Sequence, residues 1–259
     1  MVAIDQVLEK LSTVIDPDLK KDIVSMGMIK DLELNDGNLK FTLELTTPAC
    51  PFNVEIEDDV RKVIAELSDL KNFDLNVTAK VMEGRSLEAD TQMATVKNII
   101  GVASGKGGVG KSTVSLNLAL ALSQTGAKVG LLDADIYGPS IPLMLGMKDG
   151  SMEVEDNKLQ PADVNGLKVV SFGFFADQSN QAAIYRGPII SGILKQFLVD
   201  TNWSELDYLI VDLPPGTGDI PLTLAQTIPI TGILVITTPQ DVASNVAVKA
   251  VSMFEKLNV

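Results

Sequence analysis

Residues 105–113 read Gly105-Lys106-Gly107-Gly108-Val109-Gly110-Lys111-Ser112-Thr113, and such a run suits very few backbone geometries. It fits the pattern G-x-x-x-x-G-K-[ST] and has the surroundings that pattern requires. A short apolar strand over residues 98–103 comes before it and a helical pattern over residues 112–124 follows. The glycines let successive backbone N–H groups turn inward onto phosphate oxygens, and the following helix adds the positive end of its dipole. In such a loop Lys111 is placed to hold the β- and γ-phosphates of ATP and the Ser112 hydroxyl to ligate Mg²⁺. Thr113, in the first helical turn, is close enough to reach an α-phosphate. The loop therefore predicts ATP and Mg²⁺ bound where a strand passes into a helix.

The remainder of the C-terminal segment follows the same grammar. Residues 127–132 form a second apolar strand ending in Asp133-Ala134-Asp135, and further apolar runs lie at residues 167–171, 208–211 and 232–237. Continuous apolar strands alternating with helices indicate a parallel sheet covered on both faces. The expected fold class is α/β: a doubly wound, mostly parallel P-loop NTPase domain over residues 97–259. Ligands of such sheets sit beyond the carboxyl ends of the strands. Asp133 and Asp135 stand at one strand end and Asp212 at another, in Val211-Asp212-Leu213-Pro214-Pro215-Gly216. Asp212 has the placement of an aspartate that holds a magnesium shell directly or through water. Asp135 is placed to orient an attacking water.

The first 83 residues read differently, as a small α+β domain. Apolar Val7, Leu11, Val14 and Ile15 give residues 4–15 the spacing of an amphipathic helix, stopped by Asp16-Pro17-Asp18. Residues 32–34 and 39–45 alternate in polarity on either side of Asp36-Gly37, a hairpin signal. Pro51 opens a helix to about residue 67, and residues 76–82 alternate as a last strand. Residues 84–96 are read as a linker.

Composition removes several chemistries. The 259 residues contain no histidine and one cysteine, Cys50. That excludes Ser-His-Asp triads, histidine-ligated metals and an internal disulfide framework, and fits a reducing compartment. The net charge is −13, which argues against binding nucleic acid by phosphate neutralisation. Residues 1–95 hold 19 acidic and 10 basic side chains, against 15 and 11 in residues 96–259. This acidity reads as a solvated surface or, more sharply, as a face for a basic partner. No apolar stretch approaches the roughly 20 residues that span a bilayer, and the start lacks the features of a signal peptide. The expected compartment is the cytoplasm.

Lys106 is not needed by its own loop, which already has Lys111. Residues 104–113 resemble the deviant Walker A loop of the MinD/Mrp branch of P-loop ATPases, which includes the nitrogenase iron protein and the partitioning ATPases. The resemblance implies that Lys106 acts in catalysis with Lys111 and Asp135, reaching across a nucleotide-sandwich homodimer to phosphates held by a second subunit. It maps the switch regions of that branch onto Asp133-Ala134-Asp135 and residues 212–219. Within the branch, Asp135-Ile136-Tyr137-Gly138-Pro139-Ser140-Ile141-Pro142, Tyr185-Arg186-Gly187-Pro188 and Thr238-Pro239-Gln240-Asp241-Val242-Ala243 are similar to the Mrp/ApbC iron–sulfur cluster carriers. Asp16-Pro17-Asp18-Leu19, Ser25-Met26-Gly27-Met28-Ile29 and Thr46-Thr47-Pro48-Ala49-Cys50-Pro51 resemble the small iron–sulfur assembly domain often fused ahead of these carriers. Resemblance thus covers nearly the whole chain. It implies an ATP-hydrolysing homodimer that binds an Fe–S cluster and passes it to apoprotein clients.

The cluster ligands of that family are a Cys-x-x-Cys pair in a segment after the last helix read here, and the pair is not among these residues. A segment contacting adenine is likewise expected beyond Val259, so the expectation is either of a chain truncated at its C-terminus, which the unfinished βα pattern favours, or of cluster binding lost. Cys50 is no substitute, because a dimer provides two such thiolates and a cluster normally takes four protein ligands. It is either a small hydrophobe or a thiol that touches a cluster or a client. The alternative to a carrier is a spatial-positioning ATPase of the MinD or ParA kind, acting on a membrane or DNA. Those functions require a basic surface or cationic tail, whereas the last helix, residues 241–257, carries only Lys249 and Lys256. No nucleic-acid and no membrane partner is expected.

Overall fold

The computed structural model describes residues 3–68, 70–84, 95–147, 153–156, 158–174, 187–216 and 218–259. The chain divides into two compact units, Met1–Met82 and Glu83–Val259.

In the first unit, helix α1 (Ile4–Leu11) buries Val7 and Leu11. It is a turn shorter than its apolar spacing suggests. The hydroxyls of Ser12 and Thr13 fold back onto the carbonyls of Glu9 and Lys10, each at 2.7 Å, and the chain leaves the helix there. Val14 still reaches the core, but through a turn, while Ile15 is exposed and bridges to Asp22. Strands β1 (Ile29–Asn35) and β2 (Asn38–Leu45) form the expected hairpin, and its turn residues Asp36 and Gly37 both have positive φ, 48° and 83°. Helix α2 (Asn53–Ala65) buries Ile56, Val60 and Ile64 against Leu39, Phe41 and Leu43 of β2. Strand β3 (Asn72–Ala79) runs parallel to β2, giving the order β1-β2-β3. It starts four residues before the expected strand because Phe73 and Leu75 already pack on this core.

The second unit opens with β4 (Val96–Ser104), α3 (Lys111–Gln124), β5 (Val129–Asp133) and the single turn α4 (Ile141–Met144). A two-residue ladder, β6 (Val154–Glu155) with β7 (Lys158–Leu159), leads to β8 (Ala162–Val164) and β9 (Leu167–Ser171). Then come α5 (Gly187–Val199), β10 (Leu206–Asp212), α6 (Asp219–Thr227), β11 (Ile230–Ile236) and α7 (Asp241–Glu255). The sheet order is β11-β4-β10-β5-β9-β8, parallel throughout except that β8 runs against β9. The short edge strand β8, half exposed, had no legible apolar run.

Both faces of this sheet are covered. Leu116 and Ala119 of α3 and Ile141 of α4 pack with Val102, Leu131 and Val169 in one core layer. Leu194, Phe197 and Leu198 of α5, Leu224 of α6 and Phe254 of α7 pack with Ile99, Leu209 and Val211 in another. This is the doubly wound arrangement expected from the sequence. Among the described residues no helix is long and apolar enough to cross a membrane.

Candidate functional site

The site forms where β4, β10 and β5 end side by side. Strand β10 lies between β4 and β5, so Asp212 pairs in register with Val102 on one side and Asp133 on the other. Beyond β4 the chain turns through residues 105–110 into α3. Gly108 and Gly110 sit in the left-handed region, φ 77° and 92°, where a side chain is disfavoured. Gly105 is constrained by close approach instead: a Cβ there would lie 2.7 Å from Cγ1 and 3.0 Å from the carbonyl carbon of Val246 on α7. Gly110 caps α3, whose first backbone bond runs from the N–H of Val114 to its carbonyl at 2.9 Å. The free N–H groups of that first turn, with the dipole behind them, suit an anion.

Lys111, the first residue of α3, is buried. Its Nζ lies 2.8 Å from Oδ1 of Asp212, 4.0 Å from Oδ2 of Asp135 and 3.5 Å from Oγ of Ser112. Two carboxylates far apart in sequence thus meet around one ammonium. Ser115, one helical turn after Lys111 and fully buried, donates its hydroxyl to Oδ1 of Asp212 at 2.6 Å. This residue was missed in the sequence. Its signal was a hydroxyl at i+4 from Lys111, on the helix face that also carries buried Leu116 and Ala119.

Asp212 is fully buried, and its Oδ2 has no hydrogen-bond partner among the described residues. An acceptor-only oxygen left without a donor in the interior is costly. Together with the Ser112 hydroxyl, it fits a hydrated divalent cation held beside phosphates, since Mg²⁺ usually takes only one or two protein carboxylates. Among the described residues no group of three or more His, Cys, Asp or Glu could hold a metal ion on its own.

The two aspartates after β5 differ. Asp135 is half-buried and faces Lys111; burial raises its pKa, opposed by the Lys111 charge and by the N–H of Gly138. Asp133 is fully buried, and burial followed by the charge of Asp212 pushes its carboxyl up to about 6, against donors from Ser171, Ile141 and Asp135. The unfolded chain releases that proton near 3.8. Between roughly pH 4 and 6 the folded state therefore holds the extra proton, and this group makes stability fall as pH rises. Urea unfolding across pH 4 to 6.5 is expected to show this slope, and Asp133→Asn to flatten it; an unchanged slope in the variant would assign it elsewhere.

Lys106 is exposed and makes no hydrogen bond or ion pair with any described residue. Cys50 is free and half-buried in the first unit, in the turn where the N–H of Asn53 meets its carbonyl at 3.4 Å ahead of α2. Tyr185, Arg186, Thr217 and residues 85–94 of the expected linker lie outside the described residues.

A glycine loop between strand and helix, a buried lysine in that helix and an aspartate ending a neighbouring parallel strand define a nucleotide-binding P-loop protein. The chain belongs to the NUBPL iron-transfer P-loop NTPase family, whose model matches residues 95–259. Residues 4–73 match the model described as iron–sulfur cluster assembly protein. An iron–sulfur cluster carrier protein of Synechocystis sp. is 47% identical over all of this chain and 74% of its own length. One of Deinococcus radiodurans is 46% identical over 98% of this chain and 72% of its own. A chloroplastic Fe-S cluster assembly factor of Arabidopsis thaliana is 47% identical, and the chain spans 48% of it. Among solved structures, a nucleotide-binding protein of Archaeoglobus fulgidus in complex with ADP is 41% identical over 65% of each chain, with a TM-score of 0.57.

Proposed function

We propose that the chain is an ATP-hydrolysing iron–sulfur cluster carrier that works as a homodimer in the cytoplasm, delivering clusters to apoprotein clients. The observation that carries this reading is the convergence of Lys111, Asp135 and Asp212 beside a phosphate-cradling loop, in a chain of the iron-transfer family.

In this reading the N–H groups of residues 105–113 surround the phosphates and Lys111 neutralises the β- and γ-phosphates. Ser112 and Asp212 hold the magnesium ion, with Ser115 and Lys111 keeping the Asp212 carboxylate in place. Bound magnesium supplies charge neutralisation at the transferring phosphoryl group. Asp135 orients the attacking water, and the upward shift caused by its burial makes its carboxylate a stronger proton acceptor. Lys106, solvent-facing beside a loop that already has its own lysine, reaches the phosphates of a second subunit.

The cluster is cargo, and these residues do not enclose it alone. They offer one thiolate, Cys50, where a cluster takes about four ligands. In the family the cluster ligands are a Cys-x-x-Cys pair, which is not among these residues. Anaerobic reconstitution with iron and sulfide, followed by absorbance and iron counting, tests this. The 259-residue chain is expected to hold no stable cluster, and a form carrying the Cys-x-x-Cys segment to hold one per dimer. If neither retains iron, the carrier assignment is wrong.

A further inference from the structure

Asp133 supplies no group to the chemistry proposed above, yet it is a fully buried carboxylate beside a second one, Asp212. Such a placement is expensive, because two like charges in the interior repel and both lose hydration. Strands β10, β5 and β9 set Asp212, Asp133 and Ser171 next to one another in register. The Asp133 carboxylate then gathers three donors. The N–H of Asp135 reaches Oδ1 at 3.2 Å, the N–H of Ile141 reaches Oδ2 at 3.3 Å, and the Ser171 hydroxyl reaches Oδ2 at 3.0 Å. Ser171 accepts the N–H of Gly173 at 3.0 Å, and Gly173 packs so closely on Pro139 and Pro142 that a Cβ there would lie 3.2 Å from each.

One carboxylate therefore ties down both ends of residues 135–141: Asp135 at one end and the first residue of α4 at the other. Between them Ile136 is buried in the core while Tyr137 and Gly138 are exposed, so the carboxylate adds to that packing a hydrogen bond at each end of the loop. We propose that Asp133 is a positioning residue that anchors this loop to the end of β5 and so holds the Asp135 carboxylate beside Lys111; its catalytic consequence rests on the ATPase reading above. An acceptor-only group is required there. The amide of an asparagine would turn its NH₂ towards the N–H of Asp135 in one orientation and towards that of Ile141 in the other.

The test uses the whole chain, with hydrogen exchange by NMR in the absence of nucleotide and ATP turnover alongside nucleotide Kd. In Asp133→Asn the amides of Asp135 and Ile141 are expected to exchange at least about tenfold faster, as loss of hydrogen bonds to a charged acceptor implies. By the same reasoning kcat should fall about tenfold while Kd stays within about twofold. Ser171→Ala, which removes one donor and no charge, should give a smaller change in the same direction, about threefold, and Ser171→Thr should restore it. Ser171→Ala also decides the matter if Asp133→Asn does not fold. Unchanged protection of both amides, or a parallel fall of kcat and affinity, would overturn the proposal. If the unaltered protein hydrolyses no ATP, the ATPase reading fails, and amide exchange still decides whether Asp133 anchors the loop.

Discussion

Lys111→Ala is expected to weaken ATP binding by more than about a hundredfold, because a lysine contacting two phosphates contributes charge-assisted hydrogen bonds of roughly 1.5–3 kcal/mol each. The structure adds a second consequence. Lys111 is the cation that neutralises Asp212, and both side chains are out of solvent, 7% and 0% exposed. Without it the carboxylate keeps, among the described residues, only the Ser115 hydroxyl. Breaking a buried pair from one side typically costs about 3–5 kcal/mol, so the variant should also unfold at lower urea. The two effects separate in the double variant Lys111→Met with Asp212→Asn. It should recover much of the stability, since no charge is stranded, while nucleotide affinity stays lost. Titration calorimetry reads the first quantity and urea unfolding the second. ATP affinity within tenfold of the unaltered chain in Lys111→Ala would remove Lys111 from the phosphate site.

Lys106→Ala is expected to do the opposite on both counts. Its side chain is exposed and makes no hydrogen bond or ion pair with a described residue, so the change should move stability by no more than about 0.5 kcal/mol. ATP affinity should stay within a few-fold. Hydrolysis should fall by about a thousandfold, the lower end of what a cation supplied in trans contributes to phosphoryl transfer. The signature is in the concentration dependence: turnover per subunit should rise with protein concentration in the unaltered chain and stay flat and low in the variant. Equal loss of ATP affinity in Lys106→Ala and Lys111→Ala would eliminate the cross-dimer role. The pair of variants thus separates local phosphate binding from assembly of the active dimer.

Much of the fold was legible because its signals are local. Five parallel strands could be read as apolar runs, and the Asp36-Gly37 hairpin as a turn flanked by alternating residues. Misreadings arose where a local signal continued past the point at which the backbone stopped obeying it. Val14 keeps the helical spacing of Val7 and Leu11, but Ser12 and Thr13 had already ended α1 by bonding back to its carbonyls. Phe73 and Leu75 belong to β3, and the alternation of Asn72-Phe73-Asp74-Leu75 already carried the strand signal that the expected start at residue 76 passed over. Strand β8 is three residues long and exists because β9 offers it an edge.

For the site, sequence alone located the loop: its glycines at the turn from strand to helix, one lysine at the start of the helix and a second lysine within the loop. Those properties follow from backbone freedom and spacing within nine consecutive residues. What the tertiary structure decided is the strand order. An apolar run announces a strand but not its neighbours, and only the insertion of β10 between β4 and β5 brings Asp212, 101 residues away, onto Lys111. The same order sets Asp133 between Asp212 and Ser171, and α3 points Ser115 at the carboxylate. These are buried polar contacts across distant segments. They form because a carboxylate in the interior must find its donors wherever the sheet places them.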